Sequence, residues 1–161
     1  MATITQYRDV VTLSDTKLYL RMDQDLTEAD IEITTMINSA CELIEKYTQV
    51  YLKPQSKTYY FGPVDCIRIY DYPINSTTEV LDTDYTVDTL ELYSNYTQKI
   101  STLKSITANI GHTDTANVKD LFRLACMETV KRWFYGSESE TVGSLPESVM
   151  NMLASERRFI F

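Results

Sequence analysis

Apolar residues between Thr12 and Leu52 recur at helical spacing, interrupted once by a polar turn. Ile33, Ile37, Ala40, Ile44, Tyr47 and Tyr51 follow one another at alternating steps of four and three residues. That spacing puts all six on one face of a helix spanning roughly residues 27–52. Thr27 with Asp30 supplies a capping-box-like start, and Pro54 a stop. A seam of this regularity is buried, either against its own chain or against neighbouring copies. Ahead of it, Thr12-Leu13-Ser14-Asp15 opens a shorter helix ending near Met22, with Leu13, Leu18 and Leu20 as its apolar contacts. Asp23-Gln24-Asp25 forms the polar turn between the two. Residues 1–11 show no clear period and read as a lead-in.

From Ser56 the period shortens. Lys57–Phe61, Cys66–Tyr70, Tyr85–Leu90 and Ser105–Ile110 read as strands, rich in tyrosine, threonine and isoleucine. Gly62-Pro63, Pro73 with Asn75-Ser76, and Ser94-Asn95 supply breaks between them, and Gly111 terminates the last. Seven of the twelve tyrosines lie between Tyr59 and Tyr96, where cross-strand packing accounts for them. Helical spacing returns over about 117–135 in Val118, Leu121, Phe122, Ala125, Cys126, Val130, Trp133 and Phe134, with Gly136 as C-terminal cap. After a polar loop, Ser144-Leu145-Pro146-Glu147 opens a last short helix carrying Val149, Met150 and Leu153. Arg157-Arg158-Phe159-Ile160-Phe161 follows; apolar residues just after two arginines gain little unless they dock.

The pattern predicts an α+β chain, mainly helical: three to four bundled helices, a small inserted antiparallel β subdomain and a C-terminal docking tail. A single domain covers residues 1–161, with 12–52 and 117–135 as the helical body, 56–111 as the β insertion and 144–161 as the C-terminal helix and tail.

Composition narrows the function classes. The chain is 43% apolar and 24% charged, within the ordinary globular range. No apolar run approaches the ~18 residues of a membrane span, and the first residues lack the pattern of a secretion signal. Cys41, Cys66 and Cys126 match no zinc or redox spacing; Cys41 and Cys126 sit beside apolar stripes as small hydrophobes. The net charge is −8, and residues 117–161 carry six basic and six acidic groups, so the whole excess lies in 1–116. An acidic surface repels phosphate backbones and disfavours tight wrapping of nucleic acid. The tyrosine-rich block resembles no single-strand platform, because between Pro54 and Ala116 four basic residues meet eight acids.

Catalytic constellations are missing. His112 is the only histidine, which removes histidine-clustered metal sites and most triads; it reads as a surface loop residue. Four scattered glycines build no phosphate loop. Asp82, Asp84 and Asp88 lack the glycine and distal glutamate of a calcium loop. No cofactor, no metal and no enzymatic activity are expected.

Val11 through Asp23, then Ala29-Asp30, then Ile44-Glu45-Lys46-Tyr47-Thr48 resemble the N-terminal signature of head–tail connector (adaptor, head-completion) proteins of tailed bacteriophages. Later parts follow in the family's order. Ile69–Ile74 resembles its strand entering a proline turn, and Ile106–Gly111 its strand before the third helix, with Asn109 and Ile110 replacing the usual residues. Leu145-Pro146-Glu147-Ser148-Val149 through Leu153 and Arg157 resembles its C-terminal element.

The resemblance implies a non-enzymatic virion subunit, made in the bacterial host cytoplasm and located at the portal–tail junction. Copies would form a ring, usually twelve-fold in that family, beneath the portal protein. The ring extends the DNA channel, which DNA traverses without sequence-specific binding, and offers a platform for tail, stopper or neck proteins. Carried over by position, Leu145, Pro146, Val149, Leu153, Arg157, Arg158, Phe159 and Phe161 become portal-docking candidates. The alternatives are another phage neck or tail-completion protein, or a non-viral helical interaction adaptor using the same seam.

Overall fold

The computed structural model describes residues 2–61, 67–77, 87–89, 94–96, 104–136 and 143–157. The fold is α+β and mainly helical, as the pattern predicts. In chain order its elements are α1 (Tyr7–Val10), α2 (Leu13–Tyr19), α3 (Asp30–Thr48), β1 (Gln55–Phe61), β2 (Ile67–Ile69), β3 (Ile74–Thr77), β4 (Val87–Thr89), β5 (Ser94–Tyr96), β6 (Lys104–Ile110), α4 (Asp120–Tyr135) and α5 (Glu147–Leu153). Single 3-10 turns precede α4 and follow α5.

α3 and α4 form the centre of the body, with α1 and α2 against α3, α2 also against α4, and α5 against α4. The predicted seam of α3 closes on the subunit itself: Ile33, Ile37, Ala40 and Ile44 are fully buried, as is Cys41. From α4, Phe122, Ala125, Cys126, Val130 and Trp133 fill the other side. The Cys41 and Cys126 thiols meet at 3.6 Å in this apolar layer, the core role expected of them. Cys66 lies outside the described residues.

Both ends of α3 differ from expectation. The helix starts at Asp30 rather than Thr27, and no side chain caps it, because the Asp30 carboxylate pairs with Lys17 of α2 at 2.5 Å. It ends at Thr48 rather than Leu52. Gln49 turns left-handed (φ 60°) and donates its N–H to Glu45 O. The Glu45 carboxylate then takes the Leu52 N–H at 2.7 Å, so a buried side chain redirects the backbone before Pro54 acts. Tyr51 therefore lies off the helix. α2 begins where predicted, with Thr12 Oγ1 accepting the Asp15 N–H; it stops at Tyr19, with Arg21 at φ 57°.

The lead-in is more than that. Ile4, Tyr7, Val10 and Val11 are core residues, and Tyr7–Val10 is helical. A single turn shows no helical period, so the pattern could not reveal it.

β1, β6 and β3 form an antiparallel sheet in the order β1-β6-β3, and β2, β5 and β4 a second in the order β2-β5-β4. Two expected breaks are strands. Asn75-Ser76 belongs to β3, where a bulge between Ile74 and Ser76 absorbs the irregularity and Asn75 Nδ2 donates to Gly111 O. Pro73 sits just before an edge strand, where its missing N–H breaks no ladder. Ser94-Asn95 belongs to β5, paired on both sides; turn-prone residues accept a strand when cross-strand partners supply it. Gly62-Pro63 lies outside the described residues, as do Asp82 and Asp84.

Gly111 ends β6 at φ +101°, where a Cβ would stand 2.0 Å from Lys53 O, so only glycine fits this approach of β6 to the segment after α3. His112, expected at the surface, is buried: its N–H donates to Tyr51 O and its ring meets Tyr72 edge-on at 6.2 Å.

Candidate docking surfaces

The residues singled out from sequence divide into interior and surface groups. The seam residues Ile33, Ile37, Ala40 and Ile44 are interior. Tyr47 is half-buried and donates its hydroxyl to Met150 O on α5 at 3.3 Å. Tyr51 is half-buried in a polar groove described below.

Within the C-terminal element, Val149 and Leu153 are fully buried against the helical body. Their side chains are occupied in holding α5 on the subunit and cannot reach a portal without unpacking it. Leu145 packs partly on the core, and Pro146 starts α5, its carbonyl accepting the Val149 and Met150 N–H groups. Trp133 Nε1 ties the segment down by donating to Ser144 O at 3.2 Å. Arg157 lies over the Tyr47 ring, 5.1 Å from its centre, and Glu156 pairs with Lys119 at 2.8 Å. Arg158, Phe159 and Phe161 lie outside the described residues.

A polar groove of 400 Å³ opens where α3 gives way to β1, lined by residues including Tyr7, Glu45, Tyr51, Lys53 and Lys57. Asp71, almost fully buried, accepts hydrogen bonds from Lys57 Nζ at 2.6 Å and from the Tyr59 hydroxyl. Lys57 also donates to the Tyr51 hydroxyl at 3.1 Å. Burial works against the Lys57 charge, but the bonds to Asp71 and Tyr51 outweigh it and raise its pKa. Glu45 accepts the Tyr7 hydroxyl at 2.8 Å as well as the Leu52 N–H. Burial raises the Glu45 carboxyl above its usual range despite those bonds, and burial with the facing Glu45 raises the Tyr7 phenol. Burial lowers the His112 pKa. The Glu45 and Lys57 charges are matched inside the subunit, so the network fastens α1, α3, β1 and the chain around Asp71 together. Among the described residues no group of three or more His, Cys, Asp or Glu is placed to hold a metal ion, and no helix is long and apolar enough to cross a membrane.

The surface holds apolar residues that sequence reasoning passed over or assigned inward. Ile31 is 85% exposed, Leu18 71% and Leu26 44%. Leu18 had been expected to face the core. Lys17, only 3% exposed, ties α2 to the segment before α3: its ammonium donates to Leu26 O at 2.7 Å and Gln24 O at 3.2 Å, and pairs with Asp30. Ile31 lies two positions off the α3 seam, and that offset was the available signal. Beside Leu18, a groove of 590 Å³ is lined by Tyr19, Met127, Arg21, Lys131 and Asp15.

A helical body built on two central helices, small sheets inserted between them, and a short C-terminal helix packed on the body make up a fold that solved chains share. The chain aligns along 99% of its length with a subunit from the neck of an empty gene transfer agent (GTA) particle computed with C6 symmetry, covering 96% of that chain at a TM-score of 0.74 and 12% identity. The same figures hold for a chain of the virion of the native GTA particle. A chain from the neck of the native particle computed with C12 symmetry matches at TM-score 0.68 and 11% identity, over 99% of this chain and 96% of that one. No protein-family model matches the chain, and no curated protein matches its sequence.

Proposed function

We propose that this chain is a head–tail connector subunit of a phage-like particle. Copies form a ring beneath the portal protein, continue the DNA channel and carry the next neck or tail protein. The observation that supports this best is the end-to-end likeness to GTA neck chains, 99% of one covering 96% of the other. The order of sequence motifs supports the same reading independently. A heterologous ring asks for two different faces per subunit and for no bond-making chemistry, and we take the protein to be non-enzymatic. The acidic excess of residues 1–116 suits a channel that DNA crosses without adhering, since like charges give no counterion-release grip.

Electron microscopy and native mass spectrometry of the purified chain, alone and mixed with a portal protein from the same genome, test the reading. A ring that caps the portal and leaves duplex DNA unretarded at low salt is expected. A chain that stays monomeric and ignores portal protein overturns it, as do assembled particles that lack this polypeptide between capsid vertex and tail.

A further inference from the structure

The groove beside Leu18 runs between α2 and α4, with Leu18 and Tyr19 from one helix and Met127 and Lys131 from the other. Leu124, Met127, Lys131 and Tyr135 recur at helical spacing on one face of α4, and Leu124 and Tyr135 are exposed. Tyr135 donates its hydroxyl to Leu20 O at 2.7 Å, so this face meets the end of α2. With Leu18 it makes an uncovered apolar strip. The charge left over beside it is positive. Arg21 has no ion-pair partner among the described residues, and Lys131 stands 3.9 Å from Glu128. Glu128 is already engaged by the Tyr19 hydroxyl at 2.9 Å and by Arg132 at 3.3 Å, and Asp15 by the Thr12 hydroxyl at 2.7 Å. An occupant should therefore be apolar, with negative charge beside it.

The start of α3 answers that description. Ile31 is the most exposed large apolar side chain among the described residues. Glu28 and Glu32, three positions before it and one after, are exposed and have no ion-pair partner among the described residues. Ile31 stands two positions before Ile33 of the seam, about 160° around the helix. The seam packs on α4, so Ile31 points away from the helix that walls the groove. The two surfaces complement one another yet face apart in one subunit. Only a second copy brings them together. A contact that joins two different surfaces is head-to-tail, the kind that closes into a ring when the rotation permits.

We propose that Ile31 of one copy enters the α2–α4 groove of the next, where Leu18 and Met127 receive it and Arg21 and Lys131 face Glu28 and Glu32. This rests on the ring reading above and names the surfaces by which its copies join. It takes nothing from the C-terminal element. Each subunit then offers its groove to one neighbour and its Ile31 to the other, and the opposed charges fix which surface meets which.

Two charge-reversed proteins test the pairing. Arg21→Glu with Lys131→Glu makes the groove acidic, and Glu28→Lys with Glu32→Lys surrounds Ile31 with positive charge. Each protein by itself should need at least about tenfold more subunit to form rings, because like charges then meet across the contact. Each should melt within about 2 °C of wild type, since all four side chains are exposed. Mixed in equal amounts, the two should assemble at the wild-type concentration: each reversed surface finds its opposite on the other protein, and the unaltered surfaces pair as before. Rings that form equally well from either protein by itself overturn the proposal, as does a mixture that fails to assemble; both results leave the ring reading intact. A crosslinker at the exposed position 31 keeps the test independent of any folding defect. With p-benzoylphenylalanine there, and isotope-labelled and unlabelled copies mixed, crosslinks between labels should map to residues 18–21 and 124–131. Crosslinks confined to other residues overturn the proposal. A wild-type chain that forms no ring, alone or with portal protein, overturns both readings.

Discussion

Replacing Lys17 by methionine tests whether one buried ammonium organises the end of the body that carries Leu26 and Ile31. The substitution keeps the length and apolar stem of the side chain and removes its charge. Three contacts disappear: the Asp30 pair at 2.5 Å and the bonds to Leu26 O at 2.7 Å and Gln24 O at 3.2 Å. Hydrogen bonds to charged groups contribute about 1.5–3 kcal/mol each, and breaking one side of a buried ion pair costs about 3–5 kcal/mol. Two effects reduce the sum. Asp30 is 28% exposed although its paired Oδ1 is buried, so water resolvates it in part, and the desolvation of the ammonium no longer opposes folding. The expected net loss is about 3 kcal/mol, or about 6–12 °C in melting temperature for a chain of this size. Asp30→Asn should cost less, about 1–2 kcal/mol, because both carbonyl contacts survive. Urea denaturation of the two variants beside wild type measures the difference, and limited proteolysis should show Lys17→Met newly cleaved within residues 23–29. A Lys17→Met protein within about 0.5 kcal/mol of wild type would refute the clamp. Equal losses in the two variants would show that the carbonyl bonds add nothing.

Three further outcomes are expected. Gly111→Ala places a Cβ 2.0 Å from Lys53 O at φ +101°; left-handed strain of about 1–2 kcal/mol and displacement of packed backbone at about 1–3 kcal/mol should total about 3 kcal/mol in urea denaturation, and a loss below 1 kcal/mol would contradict the close approach. Glu45 has a raised pKa when folded, so its contribution is fully present below the unfolded value and is lost as pH rises through the folded one. The stability of Glu45→Gln relative to wild type should therefore grow from pH 4 to pH 8, and parallel pH profiles would contradict burial as the cause. Ile44→Asp puts an unpaired charge at a fully buried site, a cost of several kcal/mol against a domain's whole margin of about 5–15 kcal/mol; no cooperative melting transition is expected, and an unchanged melting curve would remove α3's seam from the core.

The amino-acid pattern by itself determined the principal helices, the strand-rich middle and the α+β class, because burial of one face imposes a period that a single chain displays. It placed Ile33, Ile37, Ala40 and Ile44 on that face and gave Cys41 and Cys126 an apolar role, and the ordered motifs from Val11 to Arg157 pointed to connector proteins. Tertiary structure decided what depends on partners distant in sequence. Whether the seam closes inside the subunit is settled by α4, eighty-five residues beyond Cys41 at the thiol contact. Glu45 ends the order of α3 through Leu52, Lys17 displaces the expected cap through Asp30, and Asn75 and Ser94 become strand residues because β6 stands ready to pair with β3, and β2 and β4 with β5. Val149 and Leu153, docking candidates through the resemblance, are buried in the subunit's own core, which position within a motif does not reveal. Periodicity reports that a face is covered; only the folded chain shows what covers it.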